Sequence, residues 1–178
     1  MAGRGVRSVL VVDGDAVLLS HAKASLEAAR YRVAVATNVV DADRLASTEQ
    51  PDLAIVELFF DRRRIGLELA RGLKATVPGM KVVLCSGWLN TSTAEQASAG
   101  VDHAFNKLCS YRDIVKAAEG RVIVEPDLDD MPSLAFVSRA HVERVFTASS
   151  NNVTLTAQRL KIDRSALQRL RKKARPHR

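Results

Sequence analysis

Five short apolar runs, each followed by a stretch with helical spacing, fill the first two-thirds of this 178-residue chain and leave it few folds to choose from. Val9–Val12, Arg32–Ala36, Leu53–Leu58, Lys81–Cys85 and Asp102–Phe105 read as strands. Ala16–Ala29, Val39–Ser47, Gly66–Thr76, Thr91–Ser98 and Tyr111–Ala118 read as helices. In the first helix Leu18, Leu19, Ala22, Leu26 and Ala29 fall on one face, while Pro51, Pro78-Gly79 and Ser86-Gly87 break the pattern between elements. Strands that alternate with helices require crossover connections, so the expected fold is α/β: a (βα)5 domain with a parallel sheet covered on both faces. The strands are uninterrupted apolar runs, as burial of both sheet faces demands. Function in such sheets gathers at the carboxyl ends of the strands. Those ends carry Asp13 and Asp15, Glu57, Ser86 and Lys107.

The pattern stops after residue 119. Residues 120–133 hold one short extended candidate (Val122–Val124) and then Glu125, Pro126, Asp127, Asp129, Asp130 and Pro132, which read as an acidic, proline-bounded linker. Residues 134–178 read as a small all-α domain. Its first helix runs from Leu134 to Phe146, with Leu134, Val137, His141, Val142 and Val145 able to share a stripe. A second helix spans Leu155–Leu160 with Thr154 as its cap, and a third runs from Arg164 to Ala174 with Asp163 as its cap. Ala157 is small enough for close helix crossing, Leu160 and Ile162 plug the turn, and Leu167 and Leu170 are expected to face inward.

Charge is what gives this end a partner. Residues 134–178 hold 11 Lys/Arg against 2 Asp/Glu, a net +9, whereas residues 1–133 hold 16 against 18, a net −2. A near-neutral body with a strongly basic helical end is the footprint of nucleic-acid binding, and a short helix, a turn and a cationic second helix is the layout of a helix-turn-helix. Arg164, Ser165 and Gln168 are the expected base-edge readers, because the first residues of a recognition helix go deepest into the groove. Arg169, Arg171, Lys172 and Lys173 are expected on phosphates. One such module is too small to act alone, so the helix from Ser138 to Ala148 is the expected face of a homodimer.

Other classes are poorly served by these residues. No apolar run approaches 18 residues, which argues against a membrane span, and Met1–Ser8 lacks the apolar core of a signal peptide, so a cytoplasmic protein near the nucleoid is expected. Cys85 and Cys109 sit in apolar settings and read as reduced buried thiols. The four histidines (21, 103, 141 and 177) have no ligand spacing, and no nucleophile–base pair, zinc pattern or phosphate loop appears, so no enzyme is expected. Trp88 reads as a packing residue. The Arg62–Arg64 run is either a solvated loop or a docking patch for phosphates or an acidic partner.

An Asp after strand one, an acid at the end of strand three, a Ser ending strand four and a Lys after strand five together resemble the receiver domain of two-component response regulators, over about residues 7–119. With its short Fis-type helix-turn-helix, the whole layout resembles the ActR/RegA/PrrA family. The resemblance implies a flavodoxin-like receiver fold that takes a phosphoryl group from a sensor histidine kinase onto an Asp. It also implies Mg²⁺ held by acidic residues, and a Lys and a hydroxyl that bind the phosphoryl oxygens. This chain departs at several of those places. Glu57 replaces the acceptor Asp, with its carboxylate one methylene further out, and Gly14 replaces the second acid of the first pair. Both changes disfavour Mg²⁺, and no other cofactor is expected. The loop Phe59–Arg64 lacks the usual Pro and is one residue longer. Ala104 stands where a switch Tyr or Phe belongs, with Phe105 as the substitute if the register moves by one. Leu108 replaces the Pro after the Lys, and Lys161 replaces the Gly of the helix–helix turn.

The expectation is a pseudo-receiver in which Glu57 sets a permanent negative charge near Lys107 and Ser86. Two alternatives stand beside it: a purely structural Glu57–Lys107 ion pair, and phosphate accepted on Asp13 or Asp15. At the level of function a transcription regulator leads. A nucleoid-type architectural DNA-binding protein and a phosphorylation-independent signalling adaptor, docking a kinase or other protein, are the competing readings.

Overall fold

The computed structural model describes residues 5–60, 63–87, 89, 91–121 and 134–172. Its contacts divide the chain into two units, Met1–Met131 and Pro132–Arg178. The linker reading, Val122–Val124 included, falls largely on 122–133, outside the described residues, as do Trp88, Arg62 and the tail from Lys173.

The first unit alternates as its apolar pattern requires: β1 (Ser8–Val12), α1 (Ala16–Ala28), β2 (Arg32–Ala36), α2 (Val39–Glu49), β3 (Leu53–Val56), α3 (Gly66–Thr76), β4 (Lys81–Ser86), α4 (Thr93–Ser98), β5 (His103–Asn106) and α5 (Tyr111–Ala118). All five strands are parallel, in the order β2-β1-β3-β4-β5. The chain steps out from β1 to β2 and then back across β1 to β3, so the connections diverge between β1 and β3. That is where an open parallel sheet leaves a crevice at its carboxyl edge.

Successive strand residues point to opposite faces, and two cores follow. Leu10, Val12, Ala54, Val56 and Leu84 pack with Ala42, Leu69, Leu73 and Ala99 from the α2, α3 and α4 side. Val9, Val11, Leu53, Ile55 and Val83 pack with Leu19, Leu26, Ile114 and Val115 from the α1 and α5 side. Only β1 and β3, with nearly all of β4, are buried along their length. β2 and β5 are half exposed, because an edge strand has a neighbour on one side only.

Asp15 caps α1, its carboxylate accepting the Val17 and Leu18 N–H groups at 2.8 and 3.3 Å. At the start of α3 the helix lies so close to the preceding strand end that a Cβ on Gly66 would fall 2.3 Å from the Glu57 carbonyl oxygen and 2.6 Å from the Leu58 Cα. No side chain fits there.

The second unit holds α6 (Leu134–Ala148), α7 (Val153–Leu160) and α8 (Arg164–Lys172) around Val142, Ala157 and Leu167, with Val153, Leu160 and Ile162 packed against them. Asn152, not Thr154, caps α7: its side chain accepts the Leu155 N–H at 3.0 Å, and Thr154 is already inside the helix. Asn ranks with the best caps, and the chain enters the helix two residues earlier than the apolar pattern suggested. Lys161 adopts a left-handed conformation (φ 54°), the geometry a Gly would take without strain, at a cost of ~1 kcal/mol. Leu167 is fully buried, but Leu170 is 42% exposed. At 100° per residue, Arg171 lies closer to the direction of Leu167 than Leu170 does, and Arg171 takes the inward place. Among the described residues no helix is long and apolar enough to cross a membrane.

Gly66→Ala should lower stability by about 1–3 kcal/mol, because backbone rather than a flexible side chain must move. Gly14→Ala and Gly79→Ala, where nothing lies within 4 Å of the added carbon, should stay near neutral. Urea denaturation of the three variants checks this.

Candidate functional site

Hydrogen bonds that extend the sheet ladder by one residue set the site. Asp13 N–H donates to the Ala36 carbonyl (3.1 Å), Glu57 N–H to the Val12 carbonyl (2.9 Å) and Lys107 N–H to the Ser86 carbonyl (3.1 Å). Each charged residue is thus the first beyond its strand, fixed by backbone before its side chain is considered.

The three side chains converge. The Lys107 ammonium contacts Asp13 Oδ2 and lies 2.5 Å from Glu57 Oε2. The remaining oxygens are also engaged: Asp13 Oδ1 accepts the Asp15 N–H at 3.0 Å, and Glu57 Oε1 accepts the N–H groups of Leu58 and Phe59 at 2.7 and 3.2 Å. Asp13 and Glu57 are 7% and 5% exposed, so this is a buried triad with two anions and one cation. Burial pushes the Asp13 carboxyl above its ordinary range; Lys107 opposes that shift and Glu57 adds to it. Burial pulls Lys107 down, but the Asp13 and Glu57 charges and hydrogen bonds outweigh it and hold the ammonium above its usual value. The buried Cys85 thiol beneath is pushed up to about 12, chiefly by burial, which leaves it a packing residue.

Of the residues expected at this pocket, Asp13, Glu57 and Lys107 come together, and Ser86, 1% exposed, joins them through its strand-end position. Asp15 does not join the ionic cluster, since its carboxylate is spent on the α1 cap. A divalent cation does not fit this set. Mg²⁺ takes hard oxygen ligands in near-octahedral geometry, yet an ammonium already lies between the two carboxylates and Gly14 offers no side chain. Among the described residues no group of three His, Cys, Asp or Glu is placed to hold a metal ion. Ala104 and Phe105 lie on opposite sheet faces, Ala104 against the α2–α4 core and Phe105 against the α1/α5 core. Phe105 therefore does not substitute at the switch position. Of the arginine run, Arg63 is exposed and Arg64 is ion-paired with Glu95, the residue that closes the capping box of α4.

On α8, Arg164, Ser165, Gln168 and Arg169 are all exposed while Leu167 is buried, with Ser165 and Arg169 on the side away from it. Arg171 departs from its expected role on phosphates. Its guanidinium pairs with Glu143 through two bonds (2.8 and 3.3 Å) and lies 3.5 Å over the Phe146 ring, so it ties α8 to α6. Sequence reasoning missed this partner set, although Glu143 and Phe146, three apart on α6, share a helical face. It also missed Arg159, which donates to the Ala148 carbonyl at 2.8 Å and the Ser149 hydroxyl at 3.2 Å, closing the end of α6. Lys172 ends α8, and Lys173 lies outside the described residues.

The response regulator receiver domain family matches residues 9–119. Over nearly the full chain the sequence is similar to the photosynthetic apparatus regulatory protein RegA of Rhodobacter capsulatus, at 28% identity covering 96% of this chain and 93% of that one. It is also similar to the acid tolerance regulatory protein ActR of Rhizobium meliloti (strain 1021), at 29% identity covering 96% and 88%. Among solved structures, a response regulator protein from Burkholderia pseudomallei, crystallised with a phosphorylated aspartic acid, a calcium ion and citrate, matches with a TM-score of 0.58 at 27% identity, covering 92% of this chain and 97% of that one.

Lys107→Met would strand two buried carboxylates and should cost about 3–5 kcal/mol. The triple variant Asp13→Asn/Glu57→Gln/Lys107→Met should recover most of that loss. The pH dependence has a definite sign. Because the folded-state value of Lys107 is raised, the stability it lends is complete below its ordinary 10.5 and lost only as pH rises through the higher folded value. Because the folded-state value of Asp13 is raised too, ionising it costs stability as pH climbs from 3.8 through that value. Removing the cation enlarges this second effect, so Lys107→Met should be more stable near about pH 5 than near about pH 7.5, by chemical denaturation at the two pH values.

Proposed function

Because this chain belongs to the response regulator receiver domain family of two-component signalling, we propose that it is a transcription regulator whose C-terminal unit binds duplex DNA and whose receiver unit works without phosphorylation. The exposed polar face of α8 carries the DNA-binding half of this reading. Arg164, Ser165, Gln168 and Arg169 are all exposed on the helix that buries Leu167. Arg suits guanine O6 and N7, and Gln suits adenine N6 and N7, so Arg164, Ser165 and Gln168 are assigned to base edges and Arg169 and Lys172 to phosphates. Arg171 acts as a positioning residue through Glu143 and Phe146. Relatives named for regulating the photosynthetic apparatus and acid tolerance support the regulator assignment.

The phosphorylation-independent half rests on the triad. Both Glu57 oxygens are committed, one to two backbone N–H groups and one to Lys107, and the longer side chain places them away from an Asp acceptor's position. Lys107, which the resemblance assigns to a phosphoryl group, is held by the chain's own carboxylates. Glu57 then supplies a standing charge where a phosphorylated Asp would supply a conditional one. No Mg²⁺ or other cofactor is required. A homodimer joined through α6, acting in the cytoplasm on a twofold-symmetric site, completes the proposal, and a sensor kinase or other signalling protein is the partner class for the receiver unit.

Genome-wide footprinting with purified full-length protein should recover preferred sites over scrambled duplex; equal binding to both at moderate salt would refute the regulator. Arg164→Ala should relax preference at one base position at a cost of about 1–3 kcal/mol, whereas Arg169→Ala should weaken all sequences alike and flatten the salt slope by about one. Incubation with acetyl phosphate and Mg²⁺ should leave the intact mass unchanged, and gain of a phosphoryl group would overturn the pseudo-receiver assignment.

A further inference from the structure

Several cations of the first unit are neutralised by its own acids. Lys23, Arg44, Lys74 and Lys116, for example, each pair with a carboxylate. Of the exposed arginines that no carboxylate pairs with among the described residues, Arg63 and Arg71 stand apart from one another in the chain, whereas Arg7, Arg30 and Arg32 stand together. All three are exposed, and among the described residues no carboxylate pairs with any of them. They also share one place in the fold, the amino-terminal rim of the sheet. Arg32 opens β2 in register with Ser8, and its N–H donates to the Arg7 carbonyl at 2.9 Å. Arg30 stands two residues earlier, in the turn that ends α1, at φ 67° where a Gly would be relaxed. The nearby acids form no ion pair with these three guanidiniums among the described residues. Asp52 accepts the N–H groups of Arg7 and Ser8 and the Ser8 hydroxyl, while Glu119 accepts the Val6 N–H and pairs with Arg121.

The chemistry of the rim narrows its partner. A protein interface needs a central apolar or aromatic anchor. The large exposed hydrophobic residues of this unit, Val17, Val40 and Leu108, follow the carboxyl ends of β1, β2 and β5, at the far edge of the sheet. Protein surfaces that meet nucleic acid are instead polar and strongly positive, and a guanidinium matches a phosphodiester through two parallel donors. We propose that Arg7, Arg30 and Arg32 form a phosphodiester-binding rim, through which the receiver unit adds sequence-independent contacts to duplex DNA beyond those of α8. The proposal rests on the DNA-binding reading above and extends it to the other unit.

The test uses full-length protein, a preferred duplex and its scrambled counterpart, with affinity followed across a salt series. For Arg7→Gln/Arg30→Gln/Arg32→Gln the plot of log affinity against log salt should be shallower by about 2–3, at about 0.9 per phosphate contact, with equal weakening on both duplexes and preference unchanged. Arg7→Lys/Arg30→Lys/Arg32→Lys should keep most of the slope, which separates lost charge from a lost fold. If the wild type binds DNA and the Gln variant shows the same slope, the rim assignment is overturned while the regulator stands. If the wild type binds neither duplex, both fall. If the slope is unchanged and the arginines are needed instead for binding to anionic phosphatidylserine vesicles, the rim is a lipid surface and the DNA assignment is wrong.

Discussion

The Lys107 ammonium, shared between Asp13 and Glu57, is the interaction on which the rest of the first unit turns. Three separate strands deliver these residues to one edge, and a buried charge is tolerated only when it is paired. Two carboxylates brought together in that crevice need a cation. Here the Lys107 ammonium of the same chain lies between them and takes up one charge of the pair.

Geometry around the triad fits this arrangement. Glu57 is one methylene longer than Asp, and its carboxylate turns back onto the N–H groups of Leu58 and Phe59. The same strand end is braced from below by Gly66, whose missing side chain lets α3 approach the Glu57 carbonyl. Small and large residues thus cooperate to hold one carboxylate in one place. Ala104 lies partly buried against the α2–α4 core.

In the second unit the cations divide into two kinds of work. Arg171 reaches Glu143 and Phe146, and the exposed Arg159 reaches back to the end of α6, so both tie the three helices together around a small core. Arg164 and Arg169 face outward with Ser165 and Gln168. A count of positive charge does not separate these groups, and neither does angle alone, since Arg164 and Arg171 are seven residues apart and share a direction on α8; what separates them is that Glu143 and Phe146 of α6 reach only Arg171. Exposure of Leu170 follows from the same geometry, since Arg171 occupies the inward direction that an i, i+3 reading gave to Leu170.

Residues 9–118 declare their layers by apolar period alone, because strand and helix periods are backbone properties that local sequence controls. The helices Gly66–Thr76 and Tyr111–Ala118 and the strand Arg32–Ala36 end where turn residues and caps dictate. Asp13, Glu57, Ser86 and Lys107 were legible as strand-end residues for the same reason. What sequence could not decide was which partner each polar group takes. Asp15 looked equivalent to Asp13, yet one N-caps a helix and the other pairs with Lys107, a difference set by where β1 ends and α1 begins. Thr154 was the expected cap, but the turn after α6 lets the helix start at Val153 and gives that place to Asn152. Arg171 could not be assigned from its own helix, because Glu143 and Phe146 are 28 and 25 residues away in the chain. Periodicity is local and written in order, so the sequence determines elements and layers; pairing of charges joins distant positions, and only the folded chain brings those positions within reach.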